Sequence, residues 1–313
     1  MTPAAFHPGT LIAPQMRLLY TPTTKVASTT IKWMLAEAEG TLNLDMIPRL
    51  LSAIVHRSQT IHNQHVHGLT RLITLPKPEI EEVLTSPEWI RLAAIRDPIA
   101  RSYSAWENRI FTGASGRVTD VQRLAPDIIV NGQIDMTASF ATFADALATQ
   151  TDCFMRDHHF VPQSTVVRRD AINYDMLVRV DEPGGMDLIA NLFSSRSGKQ
   201  VVPQRHNESI GVPLRQACSQ KSAELIERVY ASDYDSFGFA RGNYPALPDH
   251  FMLSTTETRL VMLMRQSVER VNSVSRTAQS RMSARYGWRQ VRKAGLRKLS
   301  FGRLYTTRRE NSL

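Results

Sequence analysis

The apolar and polar positions near the start of the chain predict a buried strand followed by a helix. Leu18–Tyr20 is an apolar run that ends at a Thr-Pro pair, which is typical of a short buried strand. From Ser28 onward, apolar residues recur at i, i+3, i+4 and i+7, beginning with Ile31. This is the period of an amphipathic helix, and Gly40 supplies the expected stop signal. The segment is therefore predicted to be a strand–loop–helix unit.

The same arrangement recurs at Arg91–Phe111. The apolar run Leu92–Ile95 predicts a second buried strand, and Arg96 lies at its end. Asp97 followed by Pro98 is typical of an N-cap and the first position of a helix. The buried face of this helix is predicted to consist of four apolar side chains, Ile99, Tyr103, Trp106 and Ile110.

Further strands and helices alternate along the chain. Helices are predicted near Ser139–Ala148, Met186–Ser194 and Leu214–Tyr230, a strand at Tyr174–Val180, and a long amphipathic helix at Leu253–Val274. Strands separated by helices favour an α/β fold with a mainly parallel sheet flanked by helices. We expect a loose lead-in at 1–16, a single α/β domain at 17–248, and a helical, basic C-terminal extension at 249–313.

The net charge of +9 originates in the C-terminal tail. The 313 residues include 38 Lys and Arg against 29 Asp and Glu, but ten of these bases and one acid lie in 281–313. The rest of the chain is neutral, so nucleic acid is an unlikely class of partner. Apolar residues interleave with the basic ones in the tail. This composition fits either an anchor on an anionic membrane surface or a solvated basic terminus.

The composition also excludes several other classes of protein. Two cysteines are too few for a disulfide scaffold or a four-cysteine zinc site. No apolar run approaches 18 residues, and residues 1–16 lack the pattern of a secretory signal. We expect a cytoplasmic protein, which the basic tail could hold peripherally at the inner membrane surface.

The loop of the first unit has the chemistry of an anion site. Residues 21–30 supply Lys25, six hydroxyl side chains and a helix start, where the N–H groups of Ser28–Thr30 can hold an anion. The alternative is a hydroxyl-rich helix cap beside a solvated lysine. The loop does not fit the nucleoside-triphosphate motif G-x-x-x-x-G-K-[ST], because it has no glycine and Lys25 precedes the serine by three residues.

The second unit offers another candidate anion site. Arg96 at a strand end and Ser104, seven residues beyond the N-cap, could converge on one phosphate. The arginine would form a bidentate contact and the serine a single O–H donor bond. The alternative is an ordinary strand-to-helix turn in which Arg101 is solvated.

Together these segments resemble the sulfotransferases, especially the carbohydrate sulfotransferases of the chondroitin 4-O type and their bacterial relatives. Lys25–Thr30 resembles the family pattern Pro-Lys-x-(Gly/Ala)-(Ser/Cys)-Thr-(Ser/Thr), and Arg96–Trp106 resembles Arg-(Asp/Glu)-Pro-x-x-Arg-x-x-Ser. Later segments also resemble family landmarks, namely Asp157–Gln163, Tyr174-Asp175, Asp181-Glu182 and Tyr230–Phe239. The resemblance covers about residues 17–240. It departs at Thr24, where the family has a proline directly before the lysine.

The resemblance implies a P-loop-like α/β domain and transfer of a sulfuryl group from 3′-phosphoadenosine 5′-phosphosulfate (PAPS) to a hydroxyl, with a carbohydrate or glycolipid as acceptor. The residues it assigns to the 5′-phosphosulfate are Lys25, Ala27, Ser28, Thr29 and Thr30, and those it assigns to the 3′-phosphate are Arg96 and Ser104. Lys25 would also neutralise the charge that develops on the leaving phosphate. No metal is expected.

The reaction also needs a base that takes the acceptor proton, and histidine suits this role near neutral pH. His62, His65 and His67 cluster between the two anion motifs, where related sulfotransferases place a catalytic histidine or glutamate. His67 and His62 are the leading candidates, with His65 behind them. The cluster could instead bind zinc or form a solvated loop, and His159 could contact the acceptor.

Two other functions stay open at this point. The first is a nucleotide-dependent kinase or phosphotransferase of similar α/β architecture, against which the missing glycines count. The second is a non-enzymatic protein that binds an anionic surface through the basic tail. An intact set of Lys25, Arg96 and Ser104 favours the enzyme.

Overall fold

The computed structural model describes residues 6–47, 57–113, 120–204, 210–247, 249–282, 287–288 and 291–292. Its central sheet has the strand order β3-β1-β2-β4-β7. These strands are β1 Leu11–Ala13, β2 Leu18–Thr21, β3 Thr70–Arg71, β4 Ile90–Ile95 and β7 Met176–Arg179. A separate hairpin consists of β5 Ile128–Val130 and β6 Gln133–Asp135.

Helices surround the central sheet. In chain order they are α1 Ser28–Glu39, α2 Gln64–His67, α3 Lys77–Thr85, α4 Pro98–Trp106, α5 Asp120–Leu124, α6 Met136–Thr149, α7 Thr151–Met155, α8 Gln163–Val167, α9 Gly185–Ser197, α10 Leu214–Ala217, α11 Gln220–Val229, α12 Ala231–Phe237 and α13 Thr255–Met282. Short 3₁₀ turns lie at Leu44–Met46, Arg57–His62 and Leu72–Thr74, and a π-helical turn, Glu107–Phe111, follows α4. The α/β class expected from the sequence is confirmed.

The three strands that position the site are parallel. Strand β2 pairs with β4, and β4 pairs with β7, so that Thr21 lies opposite Ala93 and Ile95 opposite Arg179. Because parallel strands end at the same edge of a sheet, the loops that follow β2, β4 and β7 all emerge together. Both predicted strand–loop–helix units are present, with α1 after β2 and α4 after β4.

Strand β1 corrects the prediction of a loose lead-in at 1–16 for its described part, residues 6–16. Leu11–Ala13 is buried and pairs antiparallel with both β2 and β3. The sheet is consequently mixed, with its parallel part on the side of β2, β4 and β7. A three-residue apolar strand between proline-containing segments is too short to show a period, which is why the pattern did not reveal it.

The segment predicted as one helix at Leu214–Tyr230 consists of two, α10 and α11. Ser219 separates them, since its hydroxyl accepts a hydrogen bond from the backbone N–H of Ser222 and caps α11. A serine in this position competes with the helical backbone and ends the preceding turn. The apolar period runs through both helices and does not reveal the break.

Strand β4 is buried on both faces and separates two parts of the core. Ala93 and Ile95 pack with an aromatic cluster that includes Trp106, Phe140 and Phe143. Residues on the opposite face of β4 pack with aliphatic side chains of β2, α1 and α9, among them Leu18, Ile31, Leu35 and Ile189. A strand buried on both sides is held rigidly, so the loop after it starts from a fixed point.

The long helix α13 packs on the domain through its first turns. Thr258 and Val261 are buried there, and Arg265 forms an ion pair with Asp127. Among the described residues, no helix is long and apolar enough to cross a membrane. The basic tail at 281–313 lies for the most part outside the described residues.

Candidate active site

The two predicted anion motifs meet at the carboxyl edge of the sheet. The Arg96 guanidinium donates a hydrogen bond from Nη1 to the backbone carbonyl of Lys25, at 3.3 Å. Its other guanidinium N–H groups form no hydrogen bond with the described residues. The structure therefore brings together the two loops that the sequence placed 71 residues apart.

The first loop has a backbone suited to an anion. Lys25 and Ala27 adopt left-handed conformations, with φ of 63° and 56°. Left-handed residues in such a turn aim successive N–H groups into one concavity, which is how backbone nests hold phosphate. Ala27 is the N-cap of α1 and its methyl side chain cannot accept a hydrogen bond. The first N–H groups of α1, at Ser28–Thr30, thus open onto the same concavity, and no described side chain caps them.

The Lys25 ammonium lies in a cationic environment. Burial, opposed by Glu107 and reinforced by Arg96, Arg109 and Arg101, lowers the pKa of Lys25 to about 8. Within the described part of the chain, the Lys25 side chain forms no hydrogen bond or ion pair. Lys25 thus lies near three arginines, Arg96, Arg101 and Arg109, and this concentration of positive charge would attract an anion.

Arg101 holds the first loop in place and is not solvated, in contrast to the alternative considered from the sequence. It is only 1% exposed. Its Nε donates to the carbonyl of Thr24 at 3.0 Å, and its Nη2 donates to the carbonyls of His159 at 3.2 Å and Val161 at 2.8 Å. One buried guanidinium thus fastens the loop before Lys25 to a distant part of the chain.

Hydrogen bonds to its backbone hold Arg96 in place. Gln163, which is fully buried, accepts from the Arg96 N–H at 2.9 Å and donates to the Arg96 carbonyl at 2.8 Å. Gln163 is fixed in turn, because its own N–H donates to the buried Asp233 at 2.9 Å. Gln163 and Asp233, which belong to the later segments that resemble the family, therefore hold the backbone of Arg96 in place.

Ser104 lies in α4, at the helical spacing i+3 from Arg101 and one turn before Glu107. It is half-buried, and its hydroxyl forms no hydrogen bond with the described residues. Glu107 is close enough to Arg96 and Lys25 to interact with both charges. This places the serine on the side of α4 that faces the cationic site.

The three clustered histidines have different environments. His62 approaches the first loop, with Nε2 3.2 Å from the Thr29 hydroxyl and Nδ1 3.4 Å from the Lys32 ammonium. Desolvation and the Lys32 charge lower the pKa of His62 to about 4. His67 is only 3% exposed, and its Nδ1 accepts the backbone N–H of Leu69 at 2.9 Å. His65 is exposed at the surface of α2.

His159 belongs to a second charged group beside the loop. Its Nδ1 lies 2.7 Å from Asp157, whose other carboxylate oxygen accepts from Nε and Nη2 of Arg109 at 2.8 and 2.6 Å. Although burial opposes it, the hydrogen bonds from His159 and Arg109 hold the pKa of Asp157 well below its usual range. Burial lowers the pKa of His159 to about 4 despite this carboxylate.

Asp157, His158 and His159 also have potential metal-ligand atoms within 4.8 Å of one another. Both Asp157 oxygens are already used by His159 and the Arg109 guanidinium. A divalent ion would therefore have to lie beside a fixed positive charge, which makes this group a poor metal site.

Arg109 and Asp157 were not singled out from the sequence. Arg109 lies in the π-helical turn after α4, and Asp157 follows α7. The pair forms across 48 residues of chain. The one signal available was that Asp157 begins the segment Asp-His-His-Phe-Val-Pro-Gln, whose other members are also near the site.

Comparison with known proteins identifies the family of this chain. The chain matches the model of the sulfotransferase family over residues 8–240, which is most of its length, and it belongs to that family. The match begins before β1, in agreement with the placement of β1 in the domain. Neither the curated proteins nor the solved structures include a match to this chain.

Proposed function

We propose that this sulfotransferase uses PAPS as its donor and transfers the sulfuryl group to a hydroxyl of a carbohydrate or glycolipid. The observation that carries the donor assignment is the meeting of two anion sites on one sheet edge, joined by the Arg96–Lys25 hydrogen bond. PAPS has a phosphosulfate and a separate 3′-phosphate, and therefore needs two such sites. A transferase of sulfate from a donor with one anionic end would need only the first.

The hydrogen-bond donors of the two loops match the anionic groups of PAPS. The nest at Lys25 and Ala27, with the N–H groups of Ser28–Thr30, would hold the 5′-phosphosulfate. Arg96 has guanidinium donors and Ser104 a hydroxyl that form no hydrogen bond with the described residues, and these groups would bind the 3′-phosphate. Bound PAPS supplies an activated sulfuryl group, and the Lys25 ammonium would stabilise the charge that develops on its phosphate.

The carbohydrate acceptor and the cytoplasmic or membrane-surface location are part of the same proposal. They rest on the resemblance to carbohydrate sulfotransferases and on the basic composition of 281–313. The histidines beside the first loop, His62 and His159, give the acceptor side polar groups that a sugar hydroxyl could contact.

Calorimetry with adenosine 3′,5′-bisphosphate (PAP), the product nucleotide, tests the donor assignment against the kinase alternative. We expect PAP to bind at least tenfold more tightly than ATP with magnesium, because only PAP occupies both anion sites. Adenosine 5′-phosphate, which lacks the 3′-phosphate, is the matched control and should bind more weakly than PAP. If ATP binds as tightly as PAP, or more tightly, the proposal is wrong.

A further inference from the structure

The Asp157 carboxylate bridges a histidine and an arginine beside the first loop. One oxygen is 2.7 Å from His159 Nδ1 and also accepts the His159 backbone N–H at 3.0 Å. The other accepts two hydrogen bonds from Arg109. The carboxylate side chain is only 9% exposed, so these contacts fix its position and orientation.

This arrangement determines where the His159 proton lies. An ionised carboxylate can only accept hydrogen bonds, so His159 Nδ1 must be the donor. In a neutral imidazole the other nitrogen, Nε2, is then the acceptor. Asp157 therefore selects the tautomer in which Nε2 can take a proton.

The backbone of His159 is tied to the loop that contains Lys25. Arg101 donates to the carbonyls of both Thr24 and His159. The Thr24 hydroxyl donates to the carbonyl of His158 at 3.0 Å. These contacts fix His159 next to the loop. Its side chain is 19% exposed, so a substrate can still reach it.

The other candidate histidines are less suited to accept a proton. His67 already uses Nδ1 to accept the Leu69 N–H, so its Nε2 carries the proton. In His62, both ring nitrogens have partners. The positive charge of the Lys32 ammonium, which lies beside Nδ1, also opposes protonation of the ring. Within the described part of the chain, His159 alone among these three hydrogen-bonds a carboxylate, which would stabilise the imidazolium.

We propose that His159 is the general base of the transfer and that Asp157 and Arg109 are its positioning residues; this rests on the proposed function. The acceptor oxygen attacks sulfur and forms a new S–O bond as His159 Nε2 takes the acceptor proton. The S–O bond to the 5′-phosphate breaks, and that phosphate leaves with the electron pair. The imidazolium then returns the proton to water.

The test uses the full chain and its His159→Gln and Asp157→Asn variants. The rate is measured as release of PAP from PAPS, with water as the acceptor and again with chondroitin added. We expect His159→Gln to lower kcat at least 100-fold, since general-base catalysis contributes about 10²–10⁴-fold. PAP affinity, which reports an intact nucleotide site, should change less than threefold. Asp157→Asn should lower kcat at least tenfold.

A second His–Asp pair provides the matched control. His250 hydrogen-bonds Asp135 in the separate β5–β6 hairpin. His250→Gln should leave kcat and PAP affinity unchanged.

Nitrogen-15 NMR of the histidine rings gives a readout that does not depend on activity. The His159 signals are assigned as those missing from the spectrum of His159→Gln. At pH 7, they should show the Nδ1–H tautomer. Asp157→Asn should shift the tautomer toward Nε2–H, because an amide can donate to Nδ1.

The outcomes separate this inference from the proposed function. If wild type releases PAP from PAPS and His159→Gln does so at an equal rate, the base is another residue although the enzyme is a PAPS-dependent sulfotransferase. An Nε2–H tautomer at His159 in wild type would also overturn the inference. If wild type binds ATP as tightly as PAP, the proposed function itself fails.

Discussion

Replacing Arg101 by alanine should both destabilise the protein and weaken nucleotide binding. The guanidinium donates to three backbone carbonyls, those of Thr24, His159 and Val161, and is almost completely buried. Alanine leaves all three acceptors without their donor. The loop before Lys25 also loses the Arg101 contacts that link it to the segment that carries His159, and it keeps only the Thr24–His158 hydrogen bond as a described link.

The expected size of the effect follows from these contacts. Hydrogen bonds to a charged donor contribute about 1.5–3 kcal/mol each, which gives about 4.5–9 kcal/mol for three. Removing a buried guanidinium also relieves several kcal/mol of desolvation cost. We therefore expect the free energy of unfolding to fall by about 3–5 kcal/mol and the PAP affinity by about tenfold. Arg101→Lys should recover only part of the lost stability and affinity. Lysine keeps the positive charge, but its ammonium lacks the planar fork that reaches several acceptors.

Urea unfolding monitored by circular dichroism measures the stability, and calorimetry with PAP measures the affinity. Arg123→Ala is the control, since Arg123 is exposed in α5 and its loss should change the unfolding free energy by less than about 0.5 kcal/mol. An Arg101→Ala protein that is as stable as wild type and binds PAP normally would refute the account of Arg101 as the fastener of the loop.

Three further predictions concern the same loops. Arg96→Ala should weaken PAP binding by about 1.5–3 kcal/mol and Ser104→Ala by about 1 kcal/mol, and both should be nearly silent with adenosine 5′-phosphate in calorimetry. Because the pKa of Lys25 is about 8, raising the pH from 7 to 9 should deprotonate it and weaken PAP binding about tenfold, an effect that Lys25→Met should abolish. Thr24→Val should cost about 1 kcal/mol of unfolding free energy, whereas Thr23→Val should cost none, because the buried Thr23 hydroxyl has no hydrogen-bond partner in the described part of the chain. Equal losses at both threonines would contradict the assigned role of Thr24.

The features that the sequence predicted correctly depend on neighbouring residues. Asp97 caps α4 by accepting the N–H of Ala100 at 2.8 Å, as the Asp-Pro pair predicted. Gly40 ends α1 in the left-handed conformation, at φ 78°. Each of these capping signals involves residues within one helical turn, so the local sequence is enough to predict it.

The features that were not predicted depend on residues far apart in the chain. Arg101 reaches His159 across 58 residues, and Gln163 reaches Arg96 across 67. Nothing in the local pattern distinguishes a buried arginine from a solvated one. The same limit applies to His67, which is one of three similar histidines until the fold buries its ring and engages Nδ1.

The departure at Thr24 shows how this chain fixes its loop without the proline of the family pattern. A proline before the lysine would restrict the backbone through its ring alone. Here Thr24 is held from outside, because its carbonyl and hydroxyl both accept from Arg101 and its hydroxyl donates to His158. The restraint therefore comes from Arg101 of α4 and from the segment that carries His159. The contacts of Arg101 and Thr24 therefore help to fix both the donor loop and the backbone that carries the proposed base, while Asp157 and Arg109 position the His159 ring.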